Sequence, residues 1–107
     1  MSDRELLEMA AKAAGYDGLR WSMLRQCFYD CSGIYWRPLD DDGDALRLAV
    51  KLMIEVRRCF QETHIQCSSK RYLDCISEPV LEDPYAATRR AIVRAAAEIG
   101  RGMKCQR

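Results

Sequence analysis

The chain has 107 residues, 49% of them hydrophobic and 31% charged, with a formal net charge of +1. That size and mix suit one soluble domain with a modest core, and near-neutrality leaves no global field toward nucleic acid or an anionic membrane. No apolar run approaches the ~20 residues of a spanning helix, and the opening Met-Ser-Asp-Arg-Glu lacks the basic-then-apolar order of a secretion signal, so a cytoplasmic place of work is expected.

The first helix begins at Ser2, and Glu5 completes a capping box with it. Leu6, Met9, Ala10, Ala13 and Ala14 recur at helical spacing, and Gly15 supplies a left-handed stop. The face is small at its far end, so another backbone can approach there. Residues 16 to 39 hold six of the nine aromatics: Tyr16, Trp21, Phe28, Tyr29, Tyr35 and Trp36. Trp21, Leu24 and Phe28 fit one helical face, which predicts a short additional helix over Arg20 to Asp30, broken by Ser32-Gly33. Pro38 disfavours helix at Arg37, so Tyr35-Trp36 reads as extended.

Asp40-Asp41-Asp42-Gly43-Asp44 fails every frame of a calcium loop, which needs alternating acids, Gly at the sixth position and Glu at the twelfth. It reads as an acidic cap at the positive end of a helix dipole. That helix is expected to carry Ala45, Leu46, Ala49, Leu52 and Met53 inward, with Arg47 and Lys51 outward. From Ile54 the period becomes two. Ile54–Phe60, Thr63–Ser68 and Arg71–Ile76 predict an antiparallel meander with turns at Gln61-Glu62 and Ser69-Lys70. Ile54, Val56, Ile65, Cys67, Tyr72 and Ile76 would form its apolar face. Asp83 then caps a last helix with Pro84 at its first position. Tyr85, Ile92, Ala96, Ile99 and Met103 form its stripe, and Gly100 and Gly102 should fray its end. The expected fold is a single α+β domain over residues 1–107, three helices and the optional short one on a small three-stranded antiparallel sheet.

Trp36-x-Pro38, the acids Asp41 and Asp42, and Ala45-Leu46-x-Leu48, with the first helix and the segment Asp83 to Gly100, resemble the small NinX-like proteins of tailed bacteriophages and prophages. The resemblance implies a phage gene expressed in a bacterial host. It brings no activity and no site residues.

Several groupings bear on chemistry. The even cysteine count (Cys27, Cys31, Cys59, Cys67, Cys75, Cys105) suits disulfides, but a reducing cytoplasm favours free thiols. The expected turns would align Cys59, His64 and Cys75 on the sheet's outer face, beside Arg57, Gln66 and Arg71, with Cys27 and Cys31 as further ligands. No Cys-x-x-Cys pair is present and the spacing matches no zinc pattern, so scattered thiols are the simpler reading and no metal or cofactor is expected. His64 is the only histidine, no acid is placed locally to orient it, and no nucleophile elbow or phosphate loop occurs, so an enzyme is the least supported class. Arg90, Arg94, Arg101 and Lys104 form a basic stripe on the last helix, a nucleic-acid candidate that Glu98 partly offsets. In the aromatic segment, Trp21, Phe28 and Trp36 suit the core, whereas Arg25, Tyr29, Tyr35 and Arg37 suit surface contact with a partner.

The expected function is non-enzymatic: binding and modulating or inhibiting a host protein, with antiviral defence machinery a plausible target in a phage setting. The alternatives are nucleic-acid binding through the basic stripe and sequestration of a charged signalling nucleotide by arginines and aromatics.

Overall fold

The computed structural model describes residues 1–59, 61, 63–69 and 73–104. The element order is α1 (Asp3–Ala14), β1 (Arg20–Ser22), β2 (Cys27–Tyr29), β3 (Tyr35–Trp36), α2 (Asp42–Lys51), β4 (Glu55–Cys59), β5 (His64–Ser69), β6 (Leu73–Pro79) and α3 (Pro84–Lys104). The class is α+β with three helices, and the strands form two antiparallel sheets, β1-β2-β3 and β4-β5-β6.

Helix α1 starts with the capping box: the Glu5 amide donates to Ser2 Oγ at 3.2 Å, and the Ser2 amide donates to Glu5 Oε1 at 3.0 Å. The backbone hydrogen bond from Ser2 holds the Glu5 carboxyl below its ordinary range. Gly15, at φ 77°, ends the helix as expected. Helix α3 starts where Asp83 Oδ1 accepts the Tyr85 amide at 2.9 Å, and it continues through both glycines instead of fraying. Gly100 is buried against α1, where a Cβ would run into the Met9 carbonyl oxygen. Asp3 meets Arg90 and Met9 meets Gly100, so α1 and α3 run parallel in close contact. Ala10, Ala14, Ala91 and Ala95 are buried, and their small size lets the two backbones approach.

The expected short helix over Arg20 to Asp30 is instead a β-hairpin. Trp21 and Phe28 are partners across β1 and β2, their rings edge to face with centroids 5.0 Å apart. A spacing of seven satisfies two helical turns and this hairpin register equally well. The turn between them decides it: the Gln26 amide donates to the Ser22 carbonyl at 2.8 Å, and Gln26 sits in the left-handed region at φ 55°. Leu24, expected on the helix face, lies in this turn at 89% exposure.

The acidic run caps α2. Asp41 Oδ2 accepts the Asp44 amide at 2.8 Å, and Asp44 Oδ2 accepts the Arg37 amide at 2.9 Å. From α3, Arg89 donates through Nε to the Leu39 carbonyl at 2.8 Å and pairs with Asp42 at 2.7 Å. Ala45, Leu48, Ala49 and Leu52 face the core. Leu46 and Met53, expected inward, are exposed, as are Tyr85 and Met103 on α3. With Val50, Leu46 and Met53 form a second apolar stripe at spacings of four and three, beside the buried one.

In the larger sheet, Ile65, Cys67 and Ser69 point into the core, and Ser69 Oγ donates to the Leu52 carbonyl at 3.2 Å. Val56, expected on the apolar face, shares the inward side with Cys67 yet, on the edge strand, is 40% exposed. Cys59 pairs with His64 as expected, but His64 pairs with Pro79, not Cys75. Strand β5 runs on through Ser69, so the connection to β6 comes later than the Ser69-Lys70 turn. Phe60, Glu62, Lys70, Arg71, Tyr72 and Cys105 fall outside the described residues.

Candidate functional site

Alternation divides the small sheet into two faces. Phe28 is buried, and Trp21 and Trp36 pack with it against the common core. Arg4 of α1 lies over the Trp21 ring at 5.1 Å, and the Tyr16 and Trp36 rings meet edge to face at 5.6 Å, which fixes the sheet to the rest of the domain. The other face carries Arg20 opposite Tyr29, Tyr29 opposite Tyr35, and then Arg37 two residues beyond Tyr35. The Tyr29 and Tyr35 rings are edge to face at 6.3 Å, and the Arg25 guanidinium reaches from the hairpin turn over Tyr35 at 5.3 Å.

Cys27, two residues before Tyr29 and on the same face of β2, is almost wholly buried. Burial pushes its thiol up, while the charges of Arg37 and Arg25 pull it down and that of Asp40 adds to the rise. Three of the four residues read from the sequence, Arg25, Tyr29 and Tyr35, meet one another. Arg37 is exposed on the same side. Among the described residues, Arg20, Arg25 and Arg37 form no ion pair.

Beside Tyr35 opens a hollow of ≈ 430 Å³, lined by Tyr16, Trp36, Ile34, Asp17 and Asp30 among others. Asp30 Oδ1 accepts the amides of Ser32 at 2.9 Å and Ile34 at 3.0 Å, which shapes the loop forming its rim. Arg20 and this hollow were missed from the sequence. Reading the segment as helix put Arg20 and Tyr29 on unrelated sides, whereas a strand reading pairs them.

The α3 stripe is differently placed. Arg94 pairs with Glu78 and donates to the Ser77 carbonyl at 3.1 Å. Arg90 pairs with Asp3 at 2.9 Å and approaches Glu78 at 4.0 Å, and Arg101 pairs with Glu98 at 2.8 Å. Each of these arginines already has a carboxylate. The side chain of Lys104 falls outside the described residues.

The Cys59–His64–Cys75 row does not assemble, since the register sets Cys75 four residues from the His64 partner. Among the described residues no cluster of three or more His, Cys, Asp or Glu is placed to hold a metal ion. The five described cysteines are free, and no described helix is long and apolar enough to cross a membrane.

A second surface is apolar. A groove of ≈ 690 Å³ lies between α2, α3 and β4, lined chiefly by Leu46, Val50, Met53, Val56, Tyr85 and Ile92. Leu46 is 64% exposed and Val50 70%. The sequence signal for it was the surplus of apolar positions on α2, more than one face needs. No protein family, no curated protein and no solved structure matches the chain.

Proposed function

We propose that this protein acts without catalysis, by binding another protein through the exposed face of the small sheet. The carrying observation is the cluster of Arg25, Tyr35 and Tyr29, flanked by Arg20 and Arg37, whose arginines have no ion pair among the described residues. Exposed tyrosine and arginine on a rigid support is the composition of binding hot spots. Holding Arg25 over Tyr35 in advance reduces the ordering cost of association. The phage setting, with a host protein such as defence machinery as target, rests on the resemblance carried by Trp36, Pro38, Asp41, Asp42, Ala45, Leu46 and Leu48.

A nucleotide or a single strand of nucleic acid is the second reading of the same face, because arginine beside exposed tyrosine also stacks bases and neutralises phosphate. The carboxylates of Asp17 and Asp30 in the adjoining hollow repel phosphate and accept the cationic side chains of a protein, so the protein reading stands first. The basic stripe of α3 is the weaker nucleic-acid candidate, as its described arginines are paired.

The test is the double substitution Tyr29→Ala/Tyr35→Ala. Capture of partners from infected cells is quantified by mass spectrometry for the wild type and the variant, with a thermal melt as a fold check. Recovery of the principal partner should fall at least ~tenfold, about 1.4 kcal/mol. The fold should lose no more than the ~0.5–1.5 kcal/mol of one aromatic pair. Titration with single-stranded oligonucleotides separates the two readings: tight binding that weakens steeply with salt selects nucleic acid.

A further inference from the structure

We propose that the groove between α2, α3 and β4 is covered by a second copy of this chain, joined through antiparallel pairing of the two β4 strands. Strand β4 is an edge of the larger sheet, bonded to β5 on one side only. An unpaired edge is a template for another strand, and proteins normally blunt it with charged side chains or cover it. Here the charges are of both signs. Glu55 and Arg57 lie on the outer face, and Val56 and the exposed Arg58 on the inner face, with Arg58 near the end of the strand.

Pairing about a two-fold axis at Val56 sets Glu55 of each copy opposite Arg57 of the other, and Val56 opposite Val56. Both sides of the axis repeat the same favourable cross-strand pair. Moving the axis one residue to Arg57 would set Arg57 against Arg57, so charge selects the first register. Every residue keeps its face in it, because residues directly opposite in an antiparallel pair project to the same side of the sheet.

The apolar groove supports the same occupant. Val56, on the edge strand, is 40% exposed, and Leu46 and Val50 of α2, with Met53 just past its end, line the space beneath it. A two-fold axis perpendicular to the sheet brings the two α2 stripes toward each other under the joined strands. Met53 takes the left-handed conformation at φ 54° as the residue that closes α2, its amide donating to the Val50 carbonyl at 3.3 Å and the Ile54 amide to the Ala49 carbonyl at 2.9 Å, and its side chain lines the groove. The inference concerns a different surface from the tyrosine cluster, so its failure leaves that reading untouched.

Sedimentation equilibrium of the full chain, wild type and three variants, tests it. The wild type should sediment at twice the chain mass. Glu55→Arg and Arg57→Glu should each weaken self-association by about tenfold or more, since each places like charges opposite one another twice. The combined Glu55→Arg/Arg57→Glu variant should recover it, because the exchanged charges again face their opposites. Within one copy Glu55 faces Ser68 and Arg57 faces Gln66, so these changes break no charge pair of β4 with β5, and circular dichroism should be unchanged. A wild-type chain that stays monomeric at ~100 µM overturns the proposal, as that concentration would populate any pairing of micromolar strength. So do single reversals that dimerise like the wild type, or a combined variant that stays monomeric.

Discussion

At the scale of the residue, cysteine shows how far environment separates identical side chains. Cys67 lies inward on β5, and burial, with a small addition from Cys75, pushes its thiol from 9.0 up to about 12. The thiolate is the reactive form, so a buried, raised thiol is inert. Cys31 and Cys75 are exposed, and Cys59 is intermediate. In native protein treated with iodoacetamide at neutral pH, Cys31 and Cys75 should therefore be modified first, and Cys27 and Cys67 only after denaturation. Peptide mass mapping reads this, and early modification of Cys67 would place β5 on the wrong face. The raised value also fixes a sign. The folded state keeps a proton on Cys67 that the unfolded state has released, so the stability linked to this group is full below pH 9 and falls as pH climbs toward 12. A Cys67→Val variant should lose less stability over that window than the wild type, measured as urea midpoints at several pH values.

At the scale of the element, the two glycines of α3 make opposite predictions from the same substitution. Gly102 has open space around it, so Gly102→Ala should stabilise the helix by up to ~1 kcal/mol. Gly100→Ala forces a methyl into the Met9 carbonyl of α1 and should cost about 1–3 kcal/mol through overpacking. Thermal melts of the two variants should shift in opposite directions. The small face of α1 was legible in the sequence and the close approach followed from it; that Gly100 was the far side of that approach was not, since glycine near a helix end also reads as a stop. On α2 the limits were similar. Its acidic cap was plain, but periodicity carried the helix to Met53, two residues past its end at Lys51, and cannot tell one wide apolar arc from a core stripe beside an unpartnered one. Leu48→Ala should cost about 2–5 kcal/mol, because Leu48 is fully buried, and Leu46→Ala less than ~0.5 at dilutions where the chain is a monomer, because Leu46 is exposed in the single chain. The hairpin of β1 and β2 was hidden for a sharper reason. Seven residues between Trp21 and Phe28 fit either period, and the deciding left-handed turn falls on Gln26, a residue with no preference for it. Arg25, Tyr29, Tyr35 and Arg37 were chosen by residue type, and the first three come together on the small sheet, Tyr35 exposed and Tyr29 half-buried, although a helix was expected around Arg25 and Tyr29.

At the scale of the whole molecule, α3 ties the other layers together, and its arginines do so by charge. Arg89 holds the start of α2, Arg90 the start of α1, and Arg94 the end of β6. Of the basic row, Arg90 and Arg94 thus reach different neighbours, which accounts for these two without a polyanion, while Arg101 pairs with Glu98 within α3. The two accounts diverge on one substitution. If the row served nucleic acid alone, Arg94→Glu would lower binding and leave stability unchanged. If it clamps the fold, Arg94→Glu sets two carboxylates together, with Glu78 only 15% exposed and the Ser77 carbonyl left without its donor. The loss should be about 1–3 kcal/mol, the range for removing a charged partner from a half-buried hydrogen bond. Exchanging both charges, Arg94→Glu with Glu78→Arg, should recover only part of it. The new arginine at 78 would meet Arg90, which approaches that position at 4.0 Å, and the bond to Ser77 would remain absent. Urea denaturation of the single and double variants measures both steps. A single variant as stable as the wild type would return the row to solvent and restore the nucleic-acid reading of α3.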